Sequence, residues 1–166
     1  MTSEYAKLIE ILVKQRDVFV KLRQTMESGE AALRHYNASA VDEYNKSIEI
    51  LKLRMDALEQ ARINQIARMV EQLGIESESP TLSDLAAKAP SRIGPALKDL
   101  KKQLKHLADS VALQNRKNHL LARASLNIVH DLGKLLGQVA GETTTYQPYN
   151  APKGKKSSAS VVSRRL

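Results

Sequence analysis

The fold is decided by the stretch from Leu97 to Val139, LKDLKKQLKHLADSVALQNRKNHLLARASLNIVHDLGKLLGQV. Residues at alternating steps of three and four along it are mostly aliphatic: Leu97, Leu100, Leu104, Leu107, Val111, Gln114, Asn118, Leu121, Ser125, Ile128, Leu132, Leu135 and Val139. This heptad spacing is typical of a long amphipathic helix that packs along other helices. At a rise of ~1.5 Å per residue, such a helix is roughly 65 Å long. A helix of this length needs partners of similar length.

Two earlier stretches have the same spacing and supply those partners. The first stripe is Tyr5, Leu8, Leu12, Phe19, Leu22, Met26, Leu33 and Tyr36, with Gln15 and Gly29 at the missing steps. The second stripe is Val41, Tyr44, Ile48, Leu51, Met55, Leu58, Ile66, Met69 and Leu73, interrupted by Arg62 and Gln65. The short connection near Asn37 predicts that the two helices form an antiparallel hairpin.

Capping signals place the helix ends. Ser39 to Asp42 has the form of a capping box and predicts the start of the second helix, which Gly74 would end. Thr81-Leu82-Ser83-Asp84 repeats this form and predicts one short helix, residues 82–88, after which Pro95 suits the first turn of the long helix.

The predicted fold class is therefore all-α. We expect an elongated antiparallel bundle of three long helices and one short helix, at about residues 3–36, 39–73, 82–88 and 95–140. Residues 1–141 would form this helical domain. Residues 142–166 are rich in Thr, Ser, Pro and Lys, a composition that predicts a flexible basic tail.

Composition limits the function classes. The chain has 166 residues, one Phe, no Trp and no Cys, so it has neither disulfides nor thiolate metal ligands. Charges interrupt every apolar run well before the ~20 residues of a membrane-spanning helix, and the N-terminus has no signal-peptide pattern. These features predict a cytoplasmic protein with no membrane insertion.

The sequence offers no catalytic constellation. The four histidines, His35, His106, His119 and His130, have no zinc-site spacing, and no glycine-rich phosphate loop follows a strand. We therefore expect no enzyme activity, no metal site and no cofactor.

Two features of the long helix each allow two interpretations. Asn115 and Asn118 lie three residues apart, and Asn118 falls on the apolar stripe; a buried amide that fixes helix register and a partner contact both explain it. Gly133, Gly137 and Gly141 weaken the helix end, by up to about 1 kcal/mol each, opposite an apolar side. That end is either a frayed terminus resting on the bundle or a segment that exchanges between partners.

Taken together, the hairpin, the Thr-Leu-Ser-Asp-Leu-Ala element, the Asn115-x-x-Asn118-x-x-Leu121 run and the basic tail with its tyrosines resemble the FlgN-type flagellar export chaperones. The resemblance spans the whole chain. It implies a cytosolic chaperone for hook-associated proteins 1 and 3, which form the hook–filament junction. It also implies that the C-terminal helical segment binds the amphipathic C-terminal helix of the substrate, and that the loaded complex docks on the cytosolic domain of the export gate's membrane protein.

The resemblance also assigns candidate site residues. The expected substrate-binding face carries Leu121, Ile128, Leu132, Leu135, Leu136 and Val139. In the family, a tyrosine after the last helix helps contact the gate, and this chain offers Tyr146 and Tyr149.

A basic coiled-coil protein that binds nucleic acid or acts as a scaffold is the alternative. The formal net charge is +8, and Lys98, Lys101, Lys102 and Lys105 cluster at the start of the long helix. Such a cluster either contacts phosphate or is solvated surface, and Asp99 and Asp109 interrupt it. We expect no specific nucleic-acid partner.

Overall fold

The computed structural model describes residues 2–75 and 80–140, and the side chains of residues 3–75 and 80–136. It contains four helices: α1 (Thr2–Arg34), α2 (Ala38–Leu73), α3 (Leu82–Lys88) and α4 (Ile93–Ala140). The described residues include no strand, which confirms the all-α prediction of three long helices and a short one. The predicted tail, residues 142–166, lies outside the described part. Of the helices described, none carries an apolar stretch long enough to cross a bilayer.

Helices α1 and α2 form the predicted antiparallel hairpin, and two buried glutamines join them. Gln15 Nε2 donates to Glu59 Oε2 at 3.0 Å, and Gln65 Nε2 donates to the Glu4 carboxylate at 2.8 Å. Both glutamines are about 5% exposed or less. The two glutamine steps of the predicted stripes therefore lie inside the hairpin, where each amide has a partner on the other helix.

One predicted cap is wrong. Helix α2 begins at Ala38, and its N-cap is Asn37, whose side chain accepts a hydrogen bond from the backbone N–H of Ala40 at 3.1 Å. Tyr36 has a φ of 51°, so the chain reverses one residue before Asn37. An asparagine caps as well as a serine does, and it stands at the end of this tight turn. The turn therefore starts the helix before the Ser39 signal.

The other predicted helix signals are confirmed. Gly74 is the left-handed C-cap of α2, with a φ of 58°. Thr81 and Asp84 form a reciprocal capping box at the start of α3. Asp84 accepts hydrogen bonds from the hydroxyl and backbone N–H of Thr81, which lower the pKa of its carboxyl group.

Helix α3 brings the start of α4 to the start of α1. A single core contains residues of all four helices: Tyr5, Leu8, Leu12, Ile66, Met69, Leu85, Ala86, Leu97 and Leu100. The buried Tyr5 hydroxyl donates to the Leu85 carbonyl at 3.2 Å, and the backbone of Ala86 lies so close to Gly94 that a side chain there would meet the Ala86 carbonyl oxygen at 2.8 Å. From this point α4 runs parallel to α1 and antiparallel to α2.

A second core continues the packing along the hairpin. It consists of Val18, Leu22 and Leu51, with partly buried neighbours that include Val111 of α4. Both cores lie within residues Met1–Ile128, which form one compact unit, and a second unit begins at Val129.

Gly29 does not interrupt α1, as predicted, and its function is steric. A Cβ atom at this position would lie 2.5 Å from Cδ2 of Tyr44, so only glycine lets the tyrosine ring rest on the α1 backbone. Gly133 of α4 is different, because nothing lies within 4 Å of the position its Cβ would take.

We expect the substitution of glycine by alanine to change the free energy of unfolding differently at positions 29 and 133. Gly29→Ala should lower the free energy of unfolding by about 1–3 kcal/mol, because the Tyr44 ring must shift. Gly133→Ala should leave it unchanged or raise it by up to about 1 kcal/mol, because alanine favours the helix. Urea denaturation followed by circular dichroism measures both. Equal effects of the two substitutions would contradict the close approach of Tyr44.

Candidate functional site on helix α4

Helix α4 changes character along its length. From Leu97 to Asn118 its predicted stripe is buried or half-buried against the hairpin, and Leu121 is half-buried. Every described side chain from Leu126 to Leu136 is exposed. The exposed fractions are 45% for Ile128, 53% for Leu132, 57% for Leu135 and 69% for Leu136. Of the predicted substrate-binding residues, Val139 lies outside the described side chains.

The exposed aliphatic side chains share one side of the helix. At about 100° per residue, they fall within an arc of about 120°. We call this set the apolar α4 surface: Ile128, Val129, Leu132, Leu135 and Leu136. The opposite side carries Asn127, His130, Asp131 and Lys134. The end of α4 is therefore amphipathic, and no described residue covers its apolar side.

Val129 was not among the predicted site residues, although it is 61% exposed and belongs to this surface. Helical spacing in the sequence could have identified it, because Val129 lies three residues before Leu132 and seven before Leu136. Leu126, which is 69% exposed, lies about 60° outside the arc.

Such a surface can bind another apolar surface. Burying one Leu, Ile or Val side chain contributes roughly 1.5–3 kcal/mol, so five side chains on one side of a helix represent considerable unused binding energy. Monomeric proteins rarely leave contiguous apolar patches of several large side chains in water, and such patches commonly mark interaction sites.

Asn118 is the last fully buried side chain among the described residues of α4. Its side chain is 3% exposed, and Nδ2 donates to the Met26 carbonyl at 2.7 Å. The Tyr44 hydroxyl lies 3.4 Å from the same nitrogen, and Oδ1 accepts a hydrogen bond from Gln114. This geometry supports the first interpretation, a buried amide that fixes the register of α4 on α1.

Gln114, four residues before Asn118, also donates a hydrogen bond to α1, and the two side chains together form a polar layer between α4 and α1. Gln114 Nε2 donates to Glu30 Oε2 at 2.6 Å. The amide of Gln114, followed by the guanidinium of Arg34, lowers the pKa of Glu30 below its ordinary value of 4.5. The carboxylate therefore stays ionised near neutral pH and accepts hydrogen bonds from both helices.

Asn115, the other asparagine of the sequence motif, is exposed. It lines a shallow cavity of about 210 Å³ beside the hairpin turn. The cavity is also lined by Leu33, Val41, Tyr44, Asn45, Asn118, His119 and Ala122. The two asparagines thus have different environments, one structural and one open to solvent.

The remaining predicted residues lie apart from this site or outside the described region. Tyr146 and Tyr149 are outside the described residues. His35, His106, His119 and His130 are all exposed, and the described part of the chain contains no group of acids and histidines that could hold a metal ion.

Comparison with known proteins identifies a family. Residues 1–154 match the sequence model described as FlgN protein, which confirms the resemblance seen in the sequence. No curated protein and no solved structure matches the chain.

The two asparagines provide a matched pair of substitutions. Asn118→Ala should lower the free energy of unfolding by about 1–3 kcal/mol, because it removes a buried amide with partners on α1. Asn115→Ala should change it by no more than about 0.5 kcal/mol, because the side chain is exposed. Thermal and urea denaturation measure both variants. A larger loss for Asn115→Ala than for Asn118→Ala would contradict the assigned roles.

Proposed function

This chain belongs to the FlgN family of flagellar export chaperones, and we propose that it binds the C-terminal amphipathic helices of hook-associated proteins 1 and 3 through the apolar α4 surface. FlgN proteins are non-enzymatic chaperones, so function here means binding and release. The observation that carries the proposal is the exposure of five aliphatic side chains on one side of α4.

An amphipathic helix is a suitable ligand for this surface. Recognition of helices commonly uses apolar anchors at spacings of three, four and seven residues. Leu132, Leu135 and Leu136 have these spacings relative to Ile128 and Val129. A substrate helix with the same periodicity would bury its own apolar stripe against them, and this would keep the stripe from pairing prematurely with other subunits.

Flexibility of the helix end favours such binding. Gly133 and Gly137 lie within α4, and each lowers helix stability by up to about 1 kcal/mol relative to alanine. The segment can therefore adjust to a substrate helix at low cost, while the two cores of residues 1–128 hold the rest of α4 in place.

Delivery is the second part of the proposal. The loaded chaperone acts in the cytoplasm and docks on the cytosolic domain of the export gate's membrane protein. Tyr146 or Tyr149, with the lysines that follow them, supplies the contact. These residues stand after the helical domain in the sequence, so docking and substrate binding use different parts of the chain.

Substitution of the apolar α4 surface tests substrate binding. Leu132→Asp and Leu135→Asp should each weaken binding of a peptide from the C-terminal helix of hook-associated protein 1 by at least about tenfold, because each removes roughly 1.5–3 kcal/mol of apolar burial. Isothermal titration calorimetry measures the affinity. Both side chains are exposed in the free protein, so melting temperatures should change little.

Leu53→Asp is the matched control, since Leu53 is a 65% exposed leucine on α2. It should bind the peptide as the unsubstituted protein does. Normal binding by both α4 variants, or equal weakening by the control, would place the substrate site elsewhere.

Deletion of residues 143–166 tests delivery. The truncated chain should keep its melting temperature and its affinity for the substrate peptide, because the cores and the apolar α4 surface lie before residue 143. It should bind the gate's cytosolic domain less tightly in a pull-down or by calorimetry. The double substitution Tyr146→Ala with Tyr149→Ala separates the tyrosines from the lysines. Unchanged gate binding by the truncated chain would refute this part of the proposal.

A further inference from the structure

The solvent side of α4 carries a second regular pattern. Residues at steps of three and four, on the side opposite the buried stripe, are all exposed. We call them the outer row: Lys98, Lys102, Lys105, Asp109, Leu113, Arg116, Leu120 and Arg123. The row lies within residues 1–128 and uses none of the residues assigned to substrate binding.

The outer row is strongly cationic, and its charges are not neutralised within the described structure. It has five basic residues and one acid. Among the described side chains, every ion pair lies within α1 or within α2, and none involves α4. The ion pairs of the hairpin therefore lie within its own helices, while the cations of the outer row form no ion pair with a described carboxylate.

Two leucines stand in the same row. Leu113 is 59% exposed and Leu120 is 61% exposed, and they lie seven residues apart with Arg116 between them. Leu120 lies between Arg116 and Arg123, whereas Leu113 lies between Arg116 and Asp109, the one acid of the row. Large aliphatic side chains one heptad apart, in a row whose charges are mostly of one sign, allow a helix to select a partner helix of opposite charge. The leucines supply apolar contact, and the cations select the partner.

We propose that the outer row binds an acidic amphipathic helix of a partner protein, alongside the substrate function. Such a helix has an aliphatic residue in each heptad and carboxylates on both sides of it. A second copy of this chain does not fit, because two cationic rows would repel each other.

Nucleic acids and anionic membranes are also possible partners of a cationic surface, but they would contact fewer residues of the outer row. A phosphate backbone would contact the cations but leave both leucines without a role, and the row contains no aromatic side chain on which bases could stack. A membrane surface requires a broad apolar helix face, and this row offers two leucines.

A pair of designed peptides tests the proposal with the full chain. Each peptide has about three heptads with one leucine per heptad, flanked by glutamates in one peptide and by lysines in the other. By fluorescence anisotropy, the glutamate peptide should bind and the lysine peptide should not. Arg116→Glu with Arg123→Glu, and separately Leu113→Ser with Leu120→Ser, should each weaken glutamate-peptide binding by at least about tenfold.

The control is Lys52→Glu with Arg68→Glu, which reverses two exposed cations on α2 and changes the net charge equally. It should alter the affinity by no more than about twofold.

Duplex DNA and vesicles of phosphatidylcholine with phosphatidylglycerol are the competing probes. Failure of the glutamate peptide to bind, equal weakening by the control, or normal binding by the leucine variant would overturn the proposal. If DNA or the vesicles bind the chain more tightly than the glutamate peptide does, at roughly 0.15 M salt, the proposal is also overturned. The hook-associated peptide is measured in parallel, so failure here is distinguished from failure of the substrate site.

Discussion

Helix α4 is longer than either helix of the hairpin on which it packs, and this difference determines which of its side chains are covered. Helix α4 has 48 residues, whereas α1 and α2 have 33 and 36. Its apolar stripe nevertheless keeps heptad spacing to its end, so the sequence supplies more apolar helix surface than the hairpin can pair. In a helical protein, unpaired apolar surface of this kind either associates with another chain or remains exposed at a cost in free energy. The exposed fractions identify residues 126–136 as the unpaired part.

A polar layer marks where packing changes. Apolar contacts hold α4 through Leu97, Leu100 and Val111, and the next two steps of the stripe are Gln114 and Asn118. Both amides donate to acceptors on α1. Amide hydrogen bonds are directional, so they define one register, whereas aliphatic side chains tolerate small shifts. Fixing α4 at these two residues holds the packing before them, and the side chains from Leu126 to Leu136 take no part in it.

The local signals could be predicted from the sequence, and the contacts between distant residues could not. The Thr81 capping box, Gly74 and the three apolar stripes depend on neighbouring residues. The structure contains both caps and the three long helices, although Tyr36 of the first stripe lies after the end of α1. Asn37 replaced Ser39 as a cap because the backbone turn at Tyr36 set the start of α2. The partners of Gln15 and Gln65 lie 44 and 61 residues away, so periodicity alone showed them only as interruptions. Gly29 likewise has a function only because Tyr44 packs on it.

The candidate site was predicted in part. Ile128, Leu132, Leu135 and Leu136 are exposed on one side of a helix, as a binding surface requires, while Leu121 is half-buried and Val129 was not predicted. Helical periodicity identifies which residues share a side, but only packing determines which of them are covered. For the same reason, the sequence could not separate the buried Asn118 from the exposed Asn115.

Hydrogen–deuterium exchange with and without a C-terminal peptide of a hook-associated protein measures whether the end of α4 is unpaired in the free chain and covered in the complex. Slow amide exchange reports helix that is stabilised by packing, and fast exchange reports helix that opens readily. We expect fast exchange in residues 126–140 of the free chain and strong protection there when the peptide binds, with little change in the two cores. Protection confined to the hairpin, or peptide binding without protection of the α4 end, would contradict it.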